Sequence, residues 1–186
     1  MDKKEGHIFI LIGPTCSGKT TLIKKIVKKT PKINTPVIDT TREKRHGESG
    51  SNEYNYINFD DFNSSNYLFS YKCHGFCYGL PHSIKKEINN GNSVILGLSR
   101  NLIKPFKEMF KFVSVIYIHS DGEVIRQRLL LRNRDKNEEE LQKRLNNAHE
   151  KFLWLQKQNV VDVVIHNNDD IKAAFEKLYD YVWGKI

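Results

Sequence analysis

One short segment, residues 13–20, restricts the fold of this chain more than any other feature. It reads Gly-Pro-Thr-Cys-Ser-Gly-Lys-Thr and matches the pattern G-x-x-x-x-G-K-[ST] at every fixed position. An apolar run, His-Ile-Phe-Ile-Leu-Ile at 7–12, precedes it, as expected of a parallel strand covered on both faces. Apolar residues then recur at helical spacing, at Leu22, Ile23, Ile26 and Val27. The sequence therefore predicts a strand, a glycine loop and a helix in succession.

The same loop predicts a binding site for a nucleoside triphosphate. Glycines at both ends let backbone N–H groups turn inward towards phosphate oxygens, and the positive end of the following helix also attracts anions. We expect Lys19 to bridge the β- and γ-phosphates of ATP and the Thr20 hydroxyl to bind Mg²⁺. The residues predicted to hold the nucleotide are Gly13, Thr15, Cys16, Ser17, Gly18, Lys19, Thr20 and Thr21.

The remaining chain alternates between apolar strands and helical segments. This alternation predicts an α/β P-loop NTPase fold, with a mostly parallel sheet flanked by helices. Residues 36–80 are polar and aromatic, and they predict a smaller inserted lobe built from short strands. We expect a single domain over 1–186, with its core at 1–35 and 81–186. Further strands are predicted at 94–98, 112–119 and 160–166, and helices at 81–89, 123–159 (interrupted near 132–137) and 170–183.

The charge and composition favour a protein of the cytoplasm. The net charge of +8 would suit a nucleic-acid-binding protein, but much of it is concentrated near the glycine loop and in residues 126–134, so we expect no nucleic-acid partner. No apolar run approaches the roughly 20 residues of a membrane span, and the start of the chain lacks the pattern of a signal peptide. The three cysteines are an odd number without disulfide spacing. We therefore expect a soluble cytoplasmic protein with no membrane partner.

Residues 40–54 resemble guanylate kinases. The segment begins Thr-Thr-Arg-Glu-Lys-Arg-His-Gly-Glu and ends Glu-Tyr, which matches the family pattern T-T-R-x-x-R-x-G-E followed by an acidic residue and tyrosine. The resemblance implies that Arg42 and Arg45 clamp the phosphate of an acceptor, while Tyr54 and Tyr78 donate hydrogen bonds to it. Guanidinium groups suit this role because they bind phosphate through two parallel hydrogen bonds. It also implies an ATP-dependent phosphotransferase whose acceptor is a nucleoside monophosphate, GMP or dGMP.

The arginine-rich stretch that follows residue 125 is similar to the mobile lid of the same family, here at about 126–150. The arginines that match the lid are Arg128, Arg132 and Arg144, with Arg134 as a substitute candidate. Together with Lys19 they form the predicted catalytic set. Arginines that arrive when a lid closes stabilise the charge of the transition state and exclude water. The turn His-Asn-Asn-Asp at 166–169 resembles one near the adenine, which suggests Asn168 as a nucleotide contact.

Several positions depart from the guanylate kinase pattern and resemble a second branch of the superfamily. Phe69 or Ser70 stands where those enzymes place a glutamate that binds guanine, and Leu80 replaces a hydroxyl residue. Gly-Leu-Ser at 97–99 replaces an acidic pair. Ribose 1,5-bisphosphate phosphokinases, which make phosphoribosyl diphosphate, have comparable sequences here. This alternative implies acceptor contacts from Ser70, Ser99 and Arg100, with Arg100 suited to a second phosphate.

Two further expectations concern the metal and the loss of catalysis. Because the acidic pair is missing, Glu48 is our candidate for organising Mg²⁺ through water and for contacting the acceptor. A non-catalytic, guanylate kinase-like protein-interaction module is the alternative from another class. Such modules typically lose the lysine of the glycine loop and the lid arginines, and this chain has both. The sequence does not indicate an oligomeric state.

Overall fold

The computed structural model describes residues 5–44, 53–73, 75–131, 142, 145–146, 150, 152–155 and 157–186. Its strands are β1 (Ile8–Ile12), β2 (Ile33–Asn34), β3 (Ile38–Thr40), β4 (Tyr54–Tyr56), β5 (Phe69–Cys73), β6 (Phe76–Leu80), β7 (Ser93–Gly97), β8 (Val113–His119) and β9 (Val163–His166). Five of them form a sheet in the order β2-β7-β1-β8-β9, with parallel pairing throughout. The predicted fold class is confirmed.

Strand β1 lies at the centre of this sheet and is buried over its whole length. Its side chains alternate between two cores: Ile8, Ile10 and Ile12 pack on one side, and Phe9 and Leu11 pack on the other. Each such side chain stabilises the fold by about 1.5–3 kcal/mol when fully buried. The continuous apolar run in the sequence thus has its physical cause in two covered faces.

The helices that cover the sheet are α1 (Lys19–Lys29), α2 (Ser83–Asn89), α3 (Ile103–Met109), α4 (Gly122–Leu131) and α5 (Ile171–Trp183). Helices α1 and α5 pack on one face, and α2, α3 and the helical residues 152–155 pack on the other. Asp170 caps α5 by accepting a hydrogen bond from Lys172 N at 2.8 Å. Across these ranges no helix combines the length and the apolar character that crossing a bilayer requires.

A second sheet, in the order β4-β3-β6-β5, falls wholly within the predicted inserted lobe at 36–80. Its register separates the side chains onto two faces, because residues paired across strands share a face. The inner face carries Thr40, Tyr54, Tyr56, Phe69, Tyr71 and Tyr78, and the outer face carries Asp39, Asn55 and Ser70. The Phe69 ring packs against Phe106 of α3, with centroids 4.8 Å apart. The inner face therefore meets the main core at its Phe69 end.

Candidate active site

The glycine loop joins the carboxyl end of β1 to α1, as predicted. Gly13 and Gly18 have φ angles of 147° and 93°, which strongly favour glycine. A Cβ atom on Gly13 would collide with the carbonyl oxygen of Ile118, and one on Gly18 would collide with Nδ2 of Asn167. Both glycines are therefore required by the backbone and by close neighbours. Gly18 is also the N-cap of α1, and no side chain caps this helix; the first-turn N–H groups of a helix attract anions.

Lys19 folds back over this loop. Its Nζ donates to the carbonyl oxygens of Gly13 at 2.9 Å and Pro14 at 2.6 Å. The ammonium group consequently lies at the loop itself, and Thr20 follows with an exposed position at the start of the helix. Of the other predicted contacts, Ser17 is fully buried, whereas Thr15 and Thr21 are half-buried. This arrangement puts the Lys19 ammonium group and the Thr20 hydroxyl at the start of α1, next to the loop.

Asn167 holds the loop from the far end of the chain, a role that the sequence did not reveal. Its Nδ2 donates to the carbonyl oxygen of Ser17 at 2.8 Å, and the side chain is only 2% exposed. Its backbone is fixed on both sides, since its N–H donates to His119 O and its carbonyl accepts from Ser120 Oγ, each at 2.8 Å. The adjacent Asn168, which we predicted as the nucleotide contact, instead pairs with Asp121 in the structure.

Helix α4 is docked onto the same loop through Arg128. Its guanidinium donates to Cys16 O at 3.4 Å and to Ser120 Oγ at 3.2 Å. The Cys16 side chain packs in a small apolar cluster with Ile125 and Leu129 of α4. The first predicted lid arginine thus stands beside the phosphate-binding loop.

Arg42, one of the two arginines predicted to bind the acceptor phosphate, is buried beside two tyrosine rings. It is buried to 5% exposure at the end of β3, and its guanidinium lies 4.8 Å from the ring centroid of Tyr54 and 5.3 Å from that of Tyr56. One of its nitrogens donates to the backbone oxygen of Glu43 at 3.0 Å. The aromatic rings restrict the orientation of the guanidinium plane.

Further tyrosines lie next to Arg42 on the inner face of the inserted lobe. Tyr71 stacks on Tyr78 with centroids 5.0 Å apart, and Tyr54 meets Tyr78 edge-on at 6.5 Å. Burial, reinforced by the neighbouring phenols of Tyr54 and Tyr78, raises the pKa of Tyr71. Its hydroxyl therefore stays protonated and can donate a hydrogen bond. Tyr56 and Tyr71 were not among our predicted contacts. Period-two alternation with Tyr54 could have indicated Tyr56, whereas Tyr71 shares this face through its pairing with Tyr78 on the neighbouring strand.

The resemblance to ribose 1,5-bisphosphate phosphokinases implied acceptor contacts from Ser70, Ser99 and Arg100, and the structure does not place all three on the inner face. Ser70 lies on the outer face, where it lines a separate cavity of about 380 Å³ with Phe59 and Phe62. The prediction that Ser70 contacts the acceptor does not fit this placement, because Phe69 occupies the inner-face position. Ser99 precedes a short 3-10 turn at the carboxyl end of β7, and Arg100 begins that turn.

Four predicted residues, Arg45, Glu48, Arg132 and Arg144, lie outside the described residues, as does the substitute Arg134. Within the described ranges no group of three or more acidic, histidine or cysteine side chains is arranged to hold a metal ion. At the glycine loop, the Thr20 hydroxyl is an exposed oxygen that could bind Mg²⁺.

A parallel α/β sheet with a complete phosphate-binding loop, an inserted lobe and a buried arginine defines the class of P-loop kinases. A family model described as guanylate kinase matches residues 5–185. The guanylate kinase of Symbiobacterium thermophilum is 31% identical over 181 residues, covering 94% of this chain and 84% of that protein. The guanylate kinase of Caldanaerobacter subterraneus subsp. tengcongensis is 29% identical over 182 residues, covering 95% and 86%. The chain belongs to the guanylate kinase family.

A solved structure supports the fold independently. The crystal structure of guanylate kinase from Anaplasma phagocytophilum superposes with a TM-score of 0.75 at 24% identity, covering 99% of this chain and 88% of that one. The predicted resemblance to guanylate kinases is confirmed, and so is the prediction of an ATP-dependent phosphotransferase. These matches favour that prediction over the ribose 1,5-bisphosphate phosphokinase and over the interaction module.

Proposed function

We propose that this chain transfers the γ-phosphoryl group of ATP to GMP in the cytoplasm, giving ADP and GDP. A phosphate oxygen of GMP forms the new bond to the γ-phosphorus, and the bond to the β,γ-bridging oxygen breaks. The observation that carries the proposal is the pairing of two anion sites in one member of the guanylate kinase family. One is the glycine loop with Lys19, and the other is the buried guanidinium of Arg42 framed by tyrosines.

On the donor side, Lys19 compensates charge on the β- and γ-phosphates. Its Nζ would exchange its bonds to the Gly13 and Pro14 carbonyls for phosphate oxygens. Arg128, already hydrogen-bonded to Cys16 of the loop, adds a second cation nearby. Arg132 and Arg144 belong to the same proposal as cations of the closing lid. Positioning and charge compensation supply most of the catalysis in phosphoryl transfer, and no general base is needed because the acceptor oxygen is already anionic.

On the acceptor side, Arg42 binds the GMP phosphate with Arg45, Tyr54 and Tyr78. The Arg42 guanidinium lies against the rings of Tyr54 and Tyr56, so little rotational freedom is lost when it binds phosphate. The phenol groups donate hydrogen bonds without adding charge to a site that already has two guanidinium groups.

Mg²⁺ fits the donor loop through the Thr20 hydroxyl, with Glu48 proposed to act through water. Few protein ligands suffice because Mg²⁺ in kinase sites takes most of its oxygens from phosphates and water. When bound, the ion would offset the negative charge of the β- and γ-phosphates. A cytoplasmic location is consistent with Cys16, Cys73 and Cys77, which form no disulfide in the structure.

The test is a coupled assay of ADP release with GMP, dGMP, other nucleoside monophosphates and ribose 1,5-bisphosphate as acceptors. We expect release with GMP and dGMP, and a fall in kcat of about 100-fold or more for Lys19→Ala. Lys25→Ala is the matched control, since Lys25 is an exposed lysine on the same helix, and its turnover should stay unchanged. ADP release with ribose 1,5-bisphosphate alone, or with no acceptor at all, would overturn the proposal.

A further inference from the structure

Arg100 follows the carboxyl end of β7, the strand that pairs with β1 beside the glycine loop, and it precedes α3, which packs on the inner face of the inserted lobe. Contacts along that face run from Arg42 and Tyr54 through the stacked Tyr78 and Tyr71 to Phe69. Phe69 packs on Phe106 of α3, and Arg100 opens the 3-10 turn that leads directly into α3. The base of an acceptor whose phosphate is held by Arg42 would extend towards this end of the inner face.

The Arg100 guanidinium is held in a fixed plane by Trp154. Its carbon lies 4.8 Å from the indole centroid. The indole is anchored on both sides in the sequence, because Leu155 is buried in the core and Phe152 packs on Tyr117 at 4.7 Å. Trp154 itself stays 40% exposed. A guanidinium stacked on an aromatic ring keeps its N–H edge free in the plane, so Arg100 presents a fork of donors to its surroundings.

The described inner face offers no carboxylate to a bound base. Among its side chains, Thr40 and the tyrosines carry hydroxyls, and Phe69 carries no polar atom. Asp39 belongs to the outer face, where its oxygens accept from Tyr67 and Asn55. Guanine presents N–H donors at N1 and N2, which need acceptors, and it presents acceptors at O6 and N7, which need donors. The donor fork of Arg100 therefore complements only the O6/N7 edge.

We infer that Arg100 selects the acceptor base by donating two hydrogen bonds to O6 and N7 of guanine, with Trp154 as the positioning residue. This inference rests on the proposed phosphorylation of GMP. Its consequence is a further activity: IMP, which keeps O6 and N7 and lacks only the 2-amino group, is also phosphorylated. AMP is rejected because its 6-amino group is a donor and would face the donors of Arg100.

The first experiment compares kcat/KM of the full chain for GMP, IMP, AMP and 7-deaza-GMP at saturating ATP. We expect IMP to fall within about 5-fold of GMP, since the described inner face has no carboxylate to accept a hydrogen bond from the 2-amino group. AMP should fall by about 5- to 150-fold, the range for mismatching a bidentate contact to a base. 7-Deaza-GMP keeps O6 and loses one hydrogen bond to a charged donor, so it should fall by about 10-fold. If GMP is phosphorylated but IMP is not, or if kcat/KM is the same for 7-deaza-GMP as for GMP, the inference is overturned and the proposed function stays intact. An absence of GMP turnover would instead refute the proposed function.

The second experiment uses variants of the two residues. Glutamine pairs with the N6/N7 edge of adenine, so Arg100→Gln should lower the ratio of kcat/KM for GMP over AMP by about 5- to 150-fold. Trp154→Leu keeps apolar bulk without the cation–π contact and should lower the same ratio less, with the KM for ATP unchanged. Lys104→Gln removes an exposed charge one turn along and should leave the ratio unaltered. A ratio that does not move in Arg100→Gln, at an unchanged thermal midpoint, would refute the assignment.

Discussion

Removing the Asn167 side chain should weaken the binding of ATP more than it weakens the binding of GMP. The amide donates to Ser17 O at 2.8 Å. In a planar trans peptide the Gly18 N–H points opposite to that carbonyl, so this hydrogen bond also fixes the direction of a phosphate-binding N–H. Asn167→Ala leaves a buried carbonyl without its donor, which costs about 1–3 kcal/mol. If the loop then samples other peptide orientations, the KM for ATP should rise by roughly 5- to 150-fold.

The assay is steady-state ADP release with ATP and GMP varied in turn, together with calorimetric binding of ADP. We expect the KM for ATP and the Kd for ADP to rise together, while the KM for GMP changes by less than about 2-fold because Arg42 is untouched. Asn34→Ala is the matched control. It removes a comparable amide hydrogen bond, to Glu87 at 2.7 Å, far from the loop.

A purely structural role for Asn167 predicts something different. In that case the thermal midpoint of Asn167→Ala would fall, but the folded fraction would keep its affinity for ADP. An unchanged Kd at a temperature where the variant is fully folded would refute the reasoning about the Gly18 peptide.

Three other outcomes follow from the structure. Arg42→Lys keeps the charge but loses the fork, so the KM for GMP should rise by about 10- to 150-fold in steady-state kinetics, and an unchanged KM would remove Arg42 from the clamp. Phe106→Ala should lower the free energy of unfolding in urea by about 3–5 kcal/mol, since Phe106 is fully buried; a loss below about 1 kcal/mol would contradict this. Burial, aided by the Lys185 ammonium and opposed by Asp162, lowers the pKa of His7 from 6.5 to about 4. The folded state therefore binds fewer protons, so its stability is complete above pH 6.5 and declines towards pH 4. His7→Gln should flatten that decline in urea unfolding, and an identical pH profile would refute it.

The parts of the site that the sequence predicted are local in the chain. Strand, glycine loop and helix at 7–29 follow one another, and each has its own pattern, so spacing alone places Lys19 and Thr20. The inserted lobe at 36–80 was likewise recognisable from its short aromatic strands. Helix α3 was not predicted, because it spans only seven residues and contains Pro105 in its first turn.

The parts that were missed depend on contacts between distant residues. Asn167 is 150 positions from its partner Ser17, and no pattern in a single sequence indicates such a pair. Likewise, the start of β9 was predicted at Val160, but Val160 and Val161 pack into the core and the strand begins at Val163. Apolar residues that enter a core before a strand cannot be distinguished from the strand by hydropathy. The face of Ser70 was decided only by the register of β5 with β6.

The central place of β1 has a consequence for synthesis on the ribosome. Ile8 pairs with Val94 on one side and with Val113 on the other, so β1 leaves the exit tunnel before both of its neighbours and is completed only when much of the chain has followed. At roughly 5–20 residues per second, an entirely apolar pentapeptide waits several seconds without a partner. The nascent polypeptide is therefore exposed to misassociation at β1 during this interval, and a chaperone would bind usefully there.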